Sequence, residues 1–262
     1  MLRKAEEQQA DLVLCGYRKL DTEKMDGALE EGKKGCGRIR QQTAEGEEAE
    51  EWFHIRHANA LSGIGGKLLR RAAIGPLRFD RSLVNGEDTM FLYQLIRGQV
   101  RCVYLQKDWY YYRLHPESAT QYSAMPGGTR YFESSRRIRD EEYRRGRTEF
   151  ALTWERIAAG QMERYYSVLK SAADQRECAG MRKLAAKERK HPMFERLLLS
   201  ERVLFDLCFS CHTLYVPVNR MVPVLLKWKE AVMMRKNHGD IGIITFHCSN
   251  NYGAMLQAYG LK

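Results

Sequence analysis

Cysteine is scarce. Seven in 262 residues is far below the roughly 8–10% of a disulfide-held scaffold, and the spacing is irregular, which points to reduced thiols in a cytosolic protein. Long apolar runs are missing too. No stretch approaches about 18 uninterrupted apolar residues, so no membrane span is expected. The opening segment from Met1 to Leu12 has no apolar core of the kind a secretion signal needs, and no internal repeat is visible. What is present is core-forming material. Hydrophobic residues make up 44% and aromatics 10%, which excludes disorder of the whole chain. The expectation is a soluble, cytoplasmic protein with one large domain or two ordinary ones.

The charge is uneven. The net charge is +10 overall, but residues 126–236 alone carry 23 basic and 14 acidic side chains. A basic stretch attracts nucleic acid, anionic lipid or phosphorylated substrates, or it forms solvated helix faces. No helix-turn-helix, zinc-finger or ribonucleoprotein motif accompanies it, so no specific nucleic-acid partner is expected.

Along the chain, a short polar helix is expected over Leu2–Gln9, then a buried strand over Asp11–Tyr17. Residues 21–51, rich in Gly, Glu and Lys, read as an exposed excursion. Gly63-Ile-Gly-Gly66 opens the region Lys67 to Arg71, and Gly75-Pro76 marks a turn. Glu87 and Asp88 sit where first-turn acids complement the helix dipole. Phe91, Leu92, Leu95 and Ile96 mark one face of that helix, and Gly98 ends it. Val100–Leu105 and Trp109–Arg113 have the content of two strands. Residues 129–236 turn helical, with a boundary at Pro126-Gly-Gly128. Ile241–Phe246 is strand-like and Tyr252–Lys262 helix-like, a βα unit that stops with the chain. The expected units are 1–125, 126–237 and 238–262.

Four segments in order, ADLVLCGY, GGKLLRRAAIGPLRFD, NGEDTMF and WYYYRLHPESAT, resemble the second half of a family-2 glycosyltransferase catalytic domain, over about 110 residues. The resemblance implies an α/β nucleotide-diphospho-sugar transferase (GT-A-like) fold, here partial. A mostly α-helical region and the terminal βα unit would follow it. It implies inverting transfer of a sugar from a nucleotide-sugar donor to a polysaccharide or lipid-linked acceptor. In such a transfer a carboxylate removes the acceptor hydroxyl proton. The resemblance puts this role on Asp88, with Glu87 beside it holding the acceptor or the turn. Gly63, Gly65 and Gly66 would let the donor approach the backbone, and Lys67 and Arg70 would meet its phosphates. His115 matches a late metal-binding position for Mg²⁺ or Mn²⁺, which would neutralise the leaving diphosphate. The aromatics Trp109 to Tyr112 would stack on a sugar or pack the strand.

One departure is large. The first half of such a domain, with the metal-binding Asp-x-Asp motif, should precede the ADLVLCGY strand. Only ten residues precede Asp11, and residues 1–125 contain no Asp-x-Asp. The expectation is therefore a truncated transferase, inactive alone, or a non-enzymatic remnant. Near the end, DIGIITFH followed by SNNYGAMLQAY resembles the start of a polysaccharide pyruvyl transferase, with His247 and Asn251 near its loop. Both resemblances imply a setting in exopolysaccharide or capsule assembly.

Three further features have plainer readings. Cys208-Phe-Ser-Cys211-His212 matches a haem-attachment pattern, yet Leu204, Phe205, Cys208, Cys211 and His212 share one helix face, which reads as packing. His54-Ile-Arg-His57 is a lone pair without the further ligands a metal needs. The helices over 193–236 mix Leu, Phe, Trp and Met with Lys and Arg. They read as packing on the catalytic domain or as peripheral contact with the inner face of a plasma membrane.

Overall fold

The computed structural model describes residues 1–21, 40–56, 63–114 and 130–221. His57, His115, the Pro126–Gly128 boundary, His247, Asn251 and the terminal βα unit lie outside them.

The apolar run after Asp11 forms strand β1 (Leu12–Asp21), preceded by helix α1 (Leu2–Glu7). Strand β2 (Gln41–Glu45) leads into helix α2 (Glu47–Glu51), which continues as a π-helical turn through Trp52–Arg56. Strand β3 (Lys67–Leu69) and helix α3 (Arg71–Ile74) follow. Helix α4 (Glu87–Ile96) then crosses to strand β4 (Arg101–Leu114). The sheet order is β2-β4-β1-β3, with β1 and β4 parallel and both edge strands antiparallel to their neighbours. The fold is thus a mixed α/β sheet followed by a mostly helical region.

Two expectations are corrected here. The segment around 41–51 is not a bare excursion. Ala44, Ala49 and Glu50 are buried, because β2 extends the sheet along β4 and α2 packs its small side inward. The two strands expected over 100–113 are one, since β4 stays paired with β1 through register shifts around Gly16. Gly16 makes the bulge fit, because a Cβ there would collide with the Asp108 carboxylate opposite.

The side chains of β1 alternate with period 2. Leu12 and Leu14 enter a core with Phe53, Leu92, Leu95 and Ile96. Val13 and Cys15 enter a smaller core with Ala10, Val103 and Leu105, under α1. Each fully buried Leu or Phe contributes about 1.5–3 kcal/mol relative to exposure.

The later region comprises helices α5 (Phe132–Arg144), α6 (Thr148–Ser171), α7 (Gln175–Glu188), α8 (Pro192–Glu195) and α9 (Leu199–Ser210). A last helix, α10, covers residues 212–221. Their own core runs from Phe132 through Met162, Tyr166 and Met181 to Phe205 and Cys208. Ile138 and Trp154, however, lie in the core of the sheet. No helix among the described residues is long and apolar enough to cross a membrane.

Candidate functional site

Helix α4 starts at Gly86, which takes a left-handed φ of +80°. A Cβ at Gly86 would strike the Ser134 side chain in the first turn of α5. Asn85 Oδ1 accepts the Arg130 N–H at 3.1 Å, just ahead of the same helix. Two helix N-termini therefore meet at Asn85-Gly86. Glu87 and Asp88, both half-buried, open α4 at this junction. Asp88 Oδ1 accepts the backbone N–H of Thr89 at 2.7 Å.

The glycine loop lies over the other carboxylate oxygen. A Cβ at Gly63 would sit 3.5 Å from Asp88 Oδ2, so a side chain there would stand across it. Gly65 lies flat on Tyr110, whose ring a Cβ would approach to 2.7 Å. Gly66, at φ +70°, lies against Tyr110 and the Cys15 thiol. Its carbonyl accepts from Cys15 Sγ at 3.3 Å. Lys67 folds back to donate to the Gly63 carbonyl, so its ammonium holds the loop closed. Burial pushes Lys67 down to about 8, against the opposing pull of the Asp88 and Cys15 charges.

The structure thus brings together Asp88, Gly63 and Lys67, with Gly65 and Gly66 on the Tyr110 ring. Arg70 is not among them. It lies beyond the far end of β3, where its guanidinium pairs with Asp11 at 3.4 Å and its N–H donates to the Asp11 carbonyl. Tyr131 is a site residue that sequence reasoning missed. Its ring borders Gly86, where a Cβ would come within 3.6 Å of it, and burial, followed by the charges of Asp88, Glu87 and Tyr112, raises its phenol. Nothing in the sequence near Tyr131 flags it, because only the packing of α5 against Gly86 carries it there.

Among the described residues, no cluster of metal-ligating side chains includes Asp88. Among the described residues, the side chains that could hold a cation are instead Glu50, His54 and Glu142, all buried. Their chemistry also argues against a metal. Trp154 Nε1–H donates to His54 Nδ1 at 2.7 Å. An indole is a donor only, so Nδ1 keeps its lone pair for Trp154 and the neutral ring carries its proton on Nε2. Nε2 faces Glu142 Oε2 at 3.8 Å. Burial, then Arg147 and Arg145, hold His54 down to about 3, so the ring is neutral at ordinary pH. Arg145 lies 2.7 Å from Glu142 and 3.2 Å from Glu50, and Arg147 pairs with both acids. The cluster is a compensated ionic knot that ties the turn at 52–56 to α5 and α6.

The haem-like motif is packing only in part. Phe205 and Cys208 are buried, and burial followed by the Glu163 charge raises the Cys208 thiol. But α9 ends at Ser210, so Cys211 is its half-exposed cap and the five residues do not share one helix face. His212 bonds to Ser167 Oγ at 3.0 Å on α6. No family model matches the chain, and no curated protein matches it.

Proposed function

We propose that Asp88 is the general base of an inverting sugar transferase of the family-2 class, with residues 63–67 as the near wall of its donor site. One observation supports this most. A carboxylate at a helix start stands 3.5 Å from the point where a Gly63 side chain would begin, near a half-buried lysine and a tyrosine ring. An acceptor hydroxyl reaching Asp88 Oδ2 gives up its proton there. Its oxygen then bonds to the sugar carbon as the bond from that carbon to the nucleoside diphosphate breaks. The Lys67 ammonium, bonded to the Gly63 carbonyl, would hold residues 63–67 in place as that wall. Tyr110 offers a flat apolar face for a sugar ring. The described residues do not supply a metal cradle beside Asp88, so no step is assigned to a metal. Donor binding by these residues alone is expected to be weak.

The resemblance of residues 240–262 to a pyruvyl transferase fits the same setting of surface-polysaccharide assembly. The test is made in the producing cell. Replacing Asp88 by Asn at the native locus should remove the surface glycan that the gene helps to build. Replacing the exposed Arg71 by Gln should leave it. A glycan unchanged by Asp88→Asn would sink the assignment.

A further inference from the structure

A cavity of about 550 Å³ lies in the hairpin formed by the end of α6 and the start of α7, and it shares no residue with the Asp88 site. The chain reverses between these helices through residues 172–174. Ala173 takes a left-handed φ of +56° there, and the Asp174 N–H donates to the Leu169 carbonyl at 3.2 Å. Helix α7 then runs back along α6, so that Arg182 Nη1 donates to the Tyr166 hydroxyl at 3.2 Å. Lys170 stands one turn beyond Tyr166, and Cys178 one turn before Arg182. Lys170, Cys178 and Arg182 all line the cavity. The groove stays open because the rest of its wall is short. Ala173 and Ala179 line it beside Cys178, where a close-packed seam would carry side chains that fill the space.

The charge around the cavity is unanswered. Among the described residues, neither Lys170 nor Arg182 takes part in an ion pair, and the one bond of Arg182 goes to a neutral phenol. This contrasts with Arg136, Arg137 and Arg139 on α5, each matched by a carboxylate. Asp174 is the one acid in the lining, and its Oδ1 is engaged as the cap of α7, accepting the Glu177 N–H at 3.0 Å. The positive end of the α7 dipole adds to the two cations at the same place. A phosphate group carries close to two negative charges at neutral pH, which matches two cations, and a guanidinium suits its geometry. The volume falls within the roughly 300–1,000 Å³ of small-molecule sites, so there is room for an organic body against the short apolar wall.

We propose that this cavity binds a small phosphomonoester. Lys170 and Arg182 pair with the phosphate, and Ala173, Cys178 and Ala179 pack against the body that carries it. This site stands independently of the role of Asp88.

The test is calorimetric titration of the full chain with phenyl phosphate, with inorganic phosphate and phenol as comparisons. Phenyl phosphate should bind saturably with Kd near or below about 1 mM, inorganic phosphate more weakly, and phenol not measurably. Lys170→Gln and Arg182→Gln should each weaken binding at least about tenfold, the loss of one charge-assisted contact. Lys170 has no side-chain partner in the fold, so its replacement should leave the circular dichroism spectrum unchanged. Ala179→Leu should block the cavity while keeping both charges. Arg176→Gln removes an exposed cation of α7 outside the lining and should leave the affinity unchanged. The proposal is overturned if wild type gives no saturable heat up to about 10 mM phenyl phosphate, or if Lys170→Gln and Ala179→Leu bind like wild type. It is also overturned if phenol binds as tightly as phenyl phosphate, or if Arg176→Gln costs as much as Lys170→Gln, which would mean diffuse attraction to the helix and no cavity site.

Discussion

His54 shows how one side chain can look like a ligand and be something else. It lies within reach of two carboxylates, yet its only accepting nitrogen is taken by the Trp154 indole, and two arginines pair with the acids. Added Zn²⁺ or Mn²⁺ should therefore leave the melting midpoint unchanged, since a cation that binds only the native state must raise it. In the same experiment Trp154→Phe should cost about 1–3 kcal/mol in urea unfolding, because Nδ1 is left buried without a donor. A rise of several degrees with either metal would restore the metal reading. Glycine matters at residue scale too. Gly86 is needed both for its left-handed φ and because the Ser134 side chain fills the space beside it.

At the scale of elements, α6 is the spine of the helical region. Arg156 on α6 pairs with Glu201, Glu163 accepts from Tyr215, and Ser167 meets His212, so α9 and α10 run along it in one register. Glu163 is the weak point of that seam. Burial raises its carboxyl from 4.5 to about 7, with the Tyr215 hydroxyl only partly opposing. Between those two values the unfolded chain gives up a proton that the folded chain keeps. Stability should therefore fall as pH rises from about 4.5 to about 7 and stay low above it, by at most about 3 kcal/mol. Glu163→Gln keeps an acceptor for Tyr215 and removes the ionisation. Urea midpoints at pH 5 and pH 8 should differ less for this variant than for wild type, and at pH 8 the variant should be the more stable. An unchanged pH slope would show that Glu163 is not its source.

At the scale of the whole molecule, the sheet and the helices share a core. Ile138 and Trp154 from α5 and α6 sit among Phe53, Leu92 and Tyr93, and Tyr93 donates to Glu142 at 2.6 Å across the same boundary. The two parts should consequently unfold in one transition. Ile138→Ala is expected to cost about 2–5 kcal/mol and to shift tryptophan fluorescence and far-ultraviolet dichroism together. Separate midpoints for the two probes would mean two independent units. This coupling places Tyr131, from the helical region, beside Asp88, so the candidate site is a product of both parts.

Local chemistry alone determined much of this protein. The short continuous apolar run of β1, the first-turn acids of α4 and its Phe91–Ile96 face are legible because neighbouring residues decide them. The grouping of Gly63, Lys67 and Asp88 was expected only from the family resemblance of the segments that carry them. The rest needed contacts between residues far apart in sequence. Short β2 has a polar, glutamate-rich context and becomes a strand only because β4 offers it an edge. The basic count over 126–236 could not separate matched arginines from unmatched lysines, since pairing partners lie up to 97 residues away, as Arg147 and Glu50 do. Arg70 was a phosphate ligand only by family resemblance, and past the end of β3 its guanidinium pairs with Asp11. The protonation of His54 was equally invisible, because its donor, Trp154, is 100 residues distant. Sequence sets propensity and pattern over a few turns. Only the folded chain decides which charges are desolvated and which of them meet.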